Sequence, residues 1–412
     1  MLSRPLTLSQ KPGRAFSEYL HNLRSFSRNA RLFLLGTFFT GMGFSGFMLL
    51  FNLYLREIGF LEGKIGTIIS ATTLGTVLMA LPASMVMRKF PIKRILVAAA
   101  PIAMFSYVVQ VAAPQYHIIL AAGILAGSAS VFFRVAAAPF FMRNSTPKER
   151  PYLFSMQFAC LLVAGVIGNV LGGFLPGTIE TYGFEPYIAY RYALIVLSVL
   201  VLISLIPFFM IEEKPPPTIP VKMKIGANRL IILKLFLPNL IVGIGAGLSI
   251  PFFNLYFKDI FQTPTDLIGI FYSIQQLFMI TGLLVAPVIA ERKGKIRTIV
   301  FSQLLSIPFL IALGITHNLY LAVLAFFMRA ALMNMAQPLY LNFAMEKVSH
   351  DQQPLTNALL TIAFTAGWGA SANVGGYLIE LFGYAAPFIA TSALYLISTG
   401  MTYTLFRHDK QS

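Results

Sequence analysis

The sequence predicts an all-α polytopic membrane protein of about twelve transmembrane helices in two pseudo-symmetric six-helix bundles. Three observations carry this expectation: a strongly apolar composition, a succession of apolar stretches long enough to span a bilayer, and a repeat relating the two halves of the chain. Of the 412 residues, 57% are hydrophobic and 11% charged, where a soluble domain carries about 25% charged residues. A chain this apolar cannot cover its surface in water. Its 31 Gly and 24 Pro are compatible with membrane helices, where neighbouring groups re-satisfy the backbone.

A span needs about 20 apolar residues, because a helix rises 1.5 Å per residue across a hydrocarbon core of about 30 Å. The expected spans are 31–55, 64–87, 93–112, 117–142, 151–176, 187–211, 230–257, 266–290, 296–315, 318–345, 354–380 and 384–406. An even number places both termini on one side. The net charge of +16 raises the possibility of nucleic acid, but its distribution favours a membrane. With the N-terminus in the cytoplasm, 25 of the 31 Lys and Arg fall in cytoplasmic segments or helix ends. Arg56, Lys64, Arg191 and Lys258 lie outside, and Arg134 and Arg329 lie within spans. This is the bias of a multi-pass cell-membrane protein, in bacteria of the inner membrane, with both termini cytoplasmic.

The expected organisation is a cytoplasmic tail over 1–30, a first bundle over 31–211, a linker over 212–228, a second bundle over 229–406 and a tail over 407–412. The first tail admits a short interfacial helix around Phe16–Phe26 or disorder. Pro215-Pro216-Pro217 in the linker cannot continue a helix. No cleavable signal peptide is apparent in residues 1–30. Cys160 is the sole cysteine and the five His are dispersed, so an internal disulfide is impossible and neither metal nor cofactor is expected.

The halves match across the linker. Phe51-Asn52-Leu53-Tyr54 recurs as Phe253-Asn254-Leu255-Tyr256, and Gly41-x-Gly43 as Gly243-x-Gly245. Pro139-Phe140-Phe141 corresponds to Pro338-Leu339-Tyr340, and Asn169-Val170-Leu171-Gly172-Gly173 to Asn373-Val374-Gly375-Gly376. Four matches in the same order point to a duplicated six-helix unit, related by an axis along the membrane normal. Glycine clusters such as Gly123-x-x-x-Gly127 and Gly168-x-x-x-Gly172 permit close helix approach.

On these motifs the chain, over residues 30–408, resembles the major facilitator superfamily of secondary transporters. That family's loop between helices two and three is recognisable in the second half as Ala290-Glu291-Arg292-Lys293-Gly294-Lys295. The first-half copy is degenerate, with Arg88 in place of the acid and Pro91 in place of the glycine. Pro147-Lys148-Glu149-Arg150 resembles the family's entry to helix five, and Gly168-Asn169-Val170-Leu171-Gly172-Gly173 its antiporter signature with Asn for Pro. The resemblance implies alternating access and a gating role for Arg88, Glu291, Arg292, Gly294, Glu149 and Arg150. It implies that Glu291 faces the start of span five near Pro151, whereas Arg88 sets a positive charge near the start of span eleven.

Polar side chains at membrane depth are costly and mark substrate paths. Arg134 and Arg329 are such residues, and the resemblance places their helices beside the central path. Thr72, Thr76, Gln157, Gln275, Gln276, Asn334, Gln337 and Trp368 are further path candidates. All 15 Asp and Glu lie in tails, loops or span ends. A midplane carboxylate for proton coupling is therefore missing, and Glu57 and Asp259 are the rim acids left for that role. Deep arginines without deep acids suggest an anionic solute. The leading expectation is a monomeric secondary carrier or facilitator for a small organic anion or amphiphile, its partners being that solute and lipid. The alternatives are a proton-driven drug or lipid exporter and a non-transporting receptor. No motif supports an enzyme.

Overall fold

The computed structural model describes residues 26–146, 149–213, 229–349 and 352–407. Most of the linker, both outer tails and all but the last residue of the segment Phe16–Phe26 lie outside the described residues. Within them the chain is helical, in the order α1 (Arg28–Glu57), α2 (Glu62–Lys89), α3 (Ile92–Ala112), α4 (Tyr116–Asn144), α5 (Arg150–Glu180) and α6 (Pro186–Ile203, continued by Leu205–Phe209). The second half supplies α7 (Arg229–Ser249, then a 3-10 turn Ile250–Phe252 and a helical end Phe253–Phe261), α8 (Thr265–Lys293), α9 (Lys295–Ile315), α10 (Leu319–Glu346), α11 (Gln353–Phe382) and α12 (Ala385–Phe406).

Among the described residues, α1 to α10 are both long and apolar enough to cross a membrane. Helices α11 and α12 have the length, 30 and 22 residues, but Thr, Ser and Gly dilute their apolar runs. Their positions follow the repeat. Helix α5 packs on α1 as α11 packs on α7, and α6 packs on α1 and α3 as α12 packs on α7 and α9. The starts are encoded locally. Ser27 caps α1 by accepting from the Ala30 amide, and Asn318 caps α10 by accepting from Leu321. Proline occupies the first turn of α5, α6 and α11, where its missing N–H is not needed.

Span seven departs from the unbroken helix expected. Its helix stops at Ser249, and Pro251 sits in the 3-10 turn, where its ring and absent amide interrupt the α-helical ladder.

The two bundles meet through α2 against α11 and α5 against α8. Their cores show where. At the end away from the termini, one continuous apolar core joins both bundles, from Phe47, Tyr54 and Leu197 to Phe257, Phe326 and Tyr395. At the terminus-bearing end the core divides. Phe33, Phe140 and Phe208 belong to one cluster in the first bundle, and Leu235, Phe343 and Phe406 to another in the second. The molecule is closed at one end and parted at the other.

Candidate functional site

At the closed end, cross-bundle contacts obey the repeat. Asn52 donates to the Pro251 carbonyl and Asn254 to the Leu49 carbonyl, both at 2.7 Å. Ser70 donates to the Gly369 carbonyl, and Ser273 to the Val166 carbonyl at 3.0 Å. The Gly pairs singled out by the sequence bring the backbones together. A Cβ on Gly376 would lie 2.1 Å from the Glu62 carbonyl oxygen, and one on Gly173 would lie 2.9 Å from the Gly269 Cα. The preceding glycines, Gly172 and Gly375, face α1 and α7 of their own bundles. Each Gly-Gly pair thus lets one helix approach two partners at once.

Charged groups seal the same end. Arg56 lies 3.4 Å from Glu62 and 3.7 Å from Asp259, and the Tyr384 hydroxyl donates to Asp259 at 2.7 Å. The Gly63 amide donates to Glu380 at 3.2 Å. Asp259, one expected coupling acid, is therefore engaged across the bundles. Glu57, the other, is exposed and borders an outer depression with Lys258 and Asp266.

Below this seal lies a cavity of about 480 Å³ lined by both bundles. Helix α2 presents Ile69, Thr72, Thr73 and Thr76, a spacing that keeps all four on one helical face. The three Thr hydroxyls donate to carbonyls one turn back, leaving oxygen lone pairs available to a solute donor. Helix α4 adds Ser130 and Arg134, α8 adds Tyr272 and Gln276, and α11 adds Phe364, Thr365 and Trp368. Arg134 is the single charged side chain in this lining, which holds no Asp, Glu or His. Its guanidinium sits 5.5 Å from the centre of the Phe44 ring, within cation–π range. The Phe364 and Trp368 rings, 6.0 Å apart, form an aromatic wall on the second bundle.

The structure thus gathers Arg134, Thr72, Thr76, Gln276 and Trp368 at one cavity. Gln157 and Gln275 are half-buried outside its lining, and Asn334 bonds the Ala330 carbonyl of its own helix. Gln337 borders a small crevice with Asn239 and Gln303. Arg329 departs most from expectation. It is buried inside the second bundle, 3.4 Å from the Tyr395 hydroxyl and 5.7 Å from the Phe253 ring centre. The break in α7 supplies the reason, because the helical end beginning at Phe253 covers Arg329. The Arg329 Nε has no hydrogen-bond partner among the described residues.

At the parted end, Arg88, Glu291 and Arg292 are exposed and form no ion pair among the described residues. Glu149 accepts from the Thr146 amide, and Arg150 donates to the Met142 and Ser145 carbonyls. Gly294, at φ 84°, occupies the left-handed region that favours glycine. Sequence reasoning did not single out Tyr107 and Gln110 on α3 or Tyr272 on α8. A signal existed for Gln110, the one amide side chain of α3.

The profile of the Major Facilitator Superfamily matches residues 33–240 and 235–412. The chain is 25% identical over 406 residues to the multidrug resistance protein MdtG of Dickeya zeae (strain Ech586), covering 92% of this chain and 95% of that one. Its fold resembles the nucleoside transporter NupG (TM-score 0.75, 12% identity, 92% and 99% covered). It also resembles a bacterial homologue of the iron transporter ferroportin in an inward-facing state (TM-score 0.74, 16% identity, 92% and 98% covered). Two repeat-related bundles around one central cavity, a profile match in each half and these likenesses lead to one assignment: the chain is a multi-pass membrane transporter belonging to the major facilitator superfamily.

Proposed function

We propose that the protein is an alternating-access carrier for an amphiphilic organic anion, with both termini in the cytoplasm and the described conformation open to that side. The observation that carries this reading is Arg134, the one charged side chain lining a cavity without a carboxylate. An arginine keeps its charge in almost any protein setting, and Arg134 is exposed to this cavity with no carboxylate in the lining to pair with it. An anionic headgroup would pair with it through charge-assisted hydrogen bonds. Phe44, Tyr272, Phe364 and Trp368 would receive an apolar or aromatic body. The solute would then bridge the bundles, with its charge on α4 and its ring against α11.

In this scheme the bundles rock about the central cavity. The closed-end contacts part as the terminus-bearing ends come together, and Glu291 then approaches the start of α5. Arg88 would meet the start of α11 with the unfavourable sign for a helix N-terminus, making the two sides of that gate unequal. Coupling to protons is not obligatory, because no titratable acid or histidine lines the cavity.

The likeness to MdtG favours a second reading, a multidrug exporter whose solutes share an aromatic body rather than a charge. Binding distinguishes the two. Isothermal titration with an aromatic carboxylate and with its neutral amide should show preference for the carboxylate, lost in Arg134→Gln. Equal affinity for both compounds would favour the multidrug reading.

A further inference from the structure

Outside the central cavity, the first bundle carries a groove of about 380 Å³ between α2 and α3, floored by α4. Met79, Val86 and Phe90 form one wall, Ala98 and Ile102 the other, and Leu125 belongs to the floor. The single charged residue of its lining is Arg94, at the terminus-bearing end. The groove has no like-for-like counterpart in the packing of the second bundle. Helices α2 and α3 each pack on α4 rather than on each other, whereas α8 packs on α9 as well as α10. The connecting turns differ accordingly. Phe90 and Pro91 are extended, at φ −119° and −57°, where the second half turns tightly at Gly294. The degenerate copy of the loop motif thus coincides with helices that splay.

Basic side chains flank the mouth of the groove. Lys89 and Arg94 are exposed and have no ion-pair or hydrogen-bonding partner through their side chains among the described residues. The nearby acid, Glu213, is taken by Arg143 and by the Lys93 amide. In the second half Lys295 reaches Glu346 and Asn342, and Lys293 lies over the Phe301 ring. From Met79 to Phe90 the slot runs roughly 16 Å along α2 at 1.5 Å per residue. That is about half of a hydrocarbon core of about 30 Å, the reach of one leaflet.

We propose that this groove is a binding site for an anionic phospholipid of the leaflet on the side of the termini. One acyl chain lies in the slot between α2 and α3, and the phosphate rests on Arg94, with Lys89 beside it. Clustered basic residues beside membrane helices select anionic headgroups electrostatically, while the slot requires an attached chain. The site is separate from the transport path and stands whatever the solute.

The test is native mass spectrometry of the full chain, released from micelles containing equimolar phosphatidylglycerol and phosphatidylcholine with matched acyl chains. The expected result is a several-fold preference for phosphatidylglycerol. The combined variant Lys89→Gln, Arg94→Gln should bring the ratio close to one, and Arg292→Gln with Lys293→Gln should leave it unchanged. Ala98→Phe, which fills the slot with the cations intact, should lower retention of phosphatidylglycerol. Ile102→Phe on the same wall serves should that variant fail to fold. Equal retention of the two lipids by the unmodified protein would overturn the proposal. So would an equal loss in the second-half variant, full retention with the slot filled, or displacement of the lipid by an equal concentration of inorganic phosphate.

Discussion

Asn52 and Asn254 exchange hydrogen bonds across the axis that relates the two halves of the molecule. Each side-chain amide donates at 2.7 Å to a carbonyl of the opposite bundle, Pro251 for Asn52 and Leu49 for Asn254. Both asparagines are buried, and the two acceptors, Leu49 and Pro251, are spaced by the same 202 residues that separate the asparagines. Two residues further along each motif, Tyr54 and Tyr256 anchor their helices to the Val111 and Leu313 carbonyls of α3 and α9. The repeated Phe-Asn-Leu-Tyr motif therefore has a divided task. Its tyrosine fixes the bundle, and its asparagine joins the two bundles at the closed end.

Replacing either asparagine by Ala leaves a buried carbonyl without its cross-bundle donor, at a cost of about 1–3 kcal/mol to the closed end. That corresponds to roughly a 5–150-fold change in the equilibrium between the two conformations. Distances between spin labels on the terminus-side ends of α2 and α11 should shorten in Asn52→Ala and in Asn254→Ala. The double variant should show non-additivity, because the two side chains also lie 3.4 Å apart.

Gly376→Ala should act on the same equilibrium through sterics. A Cβ there meets the backbone oxygen of Glu62 at 2.1 Å, so α2 and α11 must separate. Labels at the opposite, closed ends of these helices should report longer distances. Gly400→Ala, where a Cβ meets nothing within 4 Å, should leave both ends unchanged.

The two deep arginines should separate functionally. Arg134→Gln removes a charge-assisted interaction worth about 1.5–3 kcal/mol, and anion affinity should fall roughly 10–150-fold. Lysine should restore only part of it, lacking the planar fork. Arg329→Met should leave affinity near the original value. Its effect on stability should be small or favourable, since an apolar side chain of similar size avoids burying a charge. Titration and thermal unfolding of the same three variants measure both quantities.

The Arg56–Asp259 pair is partly exposed, at 35% and 22%, so it should contribute only about 0.2–1 kcal/mol. Asp259→Asn should therefore shift the spin-label distances less than Asn254→Ala. Tyr384, in the turn between α11 and α12, has its ionisation pushed up from the usual 10.0 by burial and then by Asp259. Its hydroxyl stays neutral, and the stability tied to that state is present below about pH 10 and lost only above it. Conformational distances followed from pH 5 to pH 9 should thus show no titration attributable to Tyr384, and Tyr384→Phe should leave the pH profile unchanged.

Much of this architecture was legible in the sequence because the membrane dictates it. Apolar run length set the helices, and the repeated motifs marked the related halves before any contact was known. Thr72, Thr76, Arg134, Gln276 and Trp368 could be named from depth alone. Depth does not specify which way a side chain faces, and Arg329 shows the consequence. Also deep within its span, it is covered by Phe253 because α7 breaks at Pro251. The unbroken apolar run through that proline concealed the break. Tyr107 and Gln110 were overlooked although Gln110 is the one amide side chain of α3, because only packing shows that this face of α3 reaches the cavity.

The proposed carrier selects an amphiphilic anion through Arg134 and carries it without an obligatory proton. Counterflow in proteoliposomes tests this most directly, using an aromatic carboxylate and its neutral amide, with and without a pH gradient. The carboxylate should exchange and the amide should not, at rates independent of the gradient, and Arg134→Gln should abolish the difference. Exchange of the amide at the rate of the carboxylate, or carboxylate exchange undiminished in Arg134→Gln, would contradict the account.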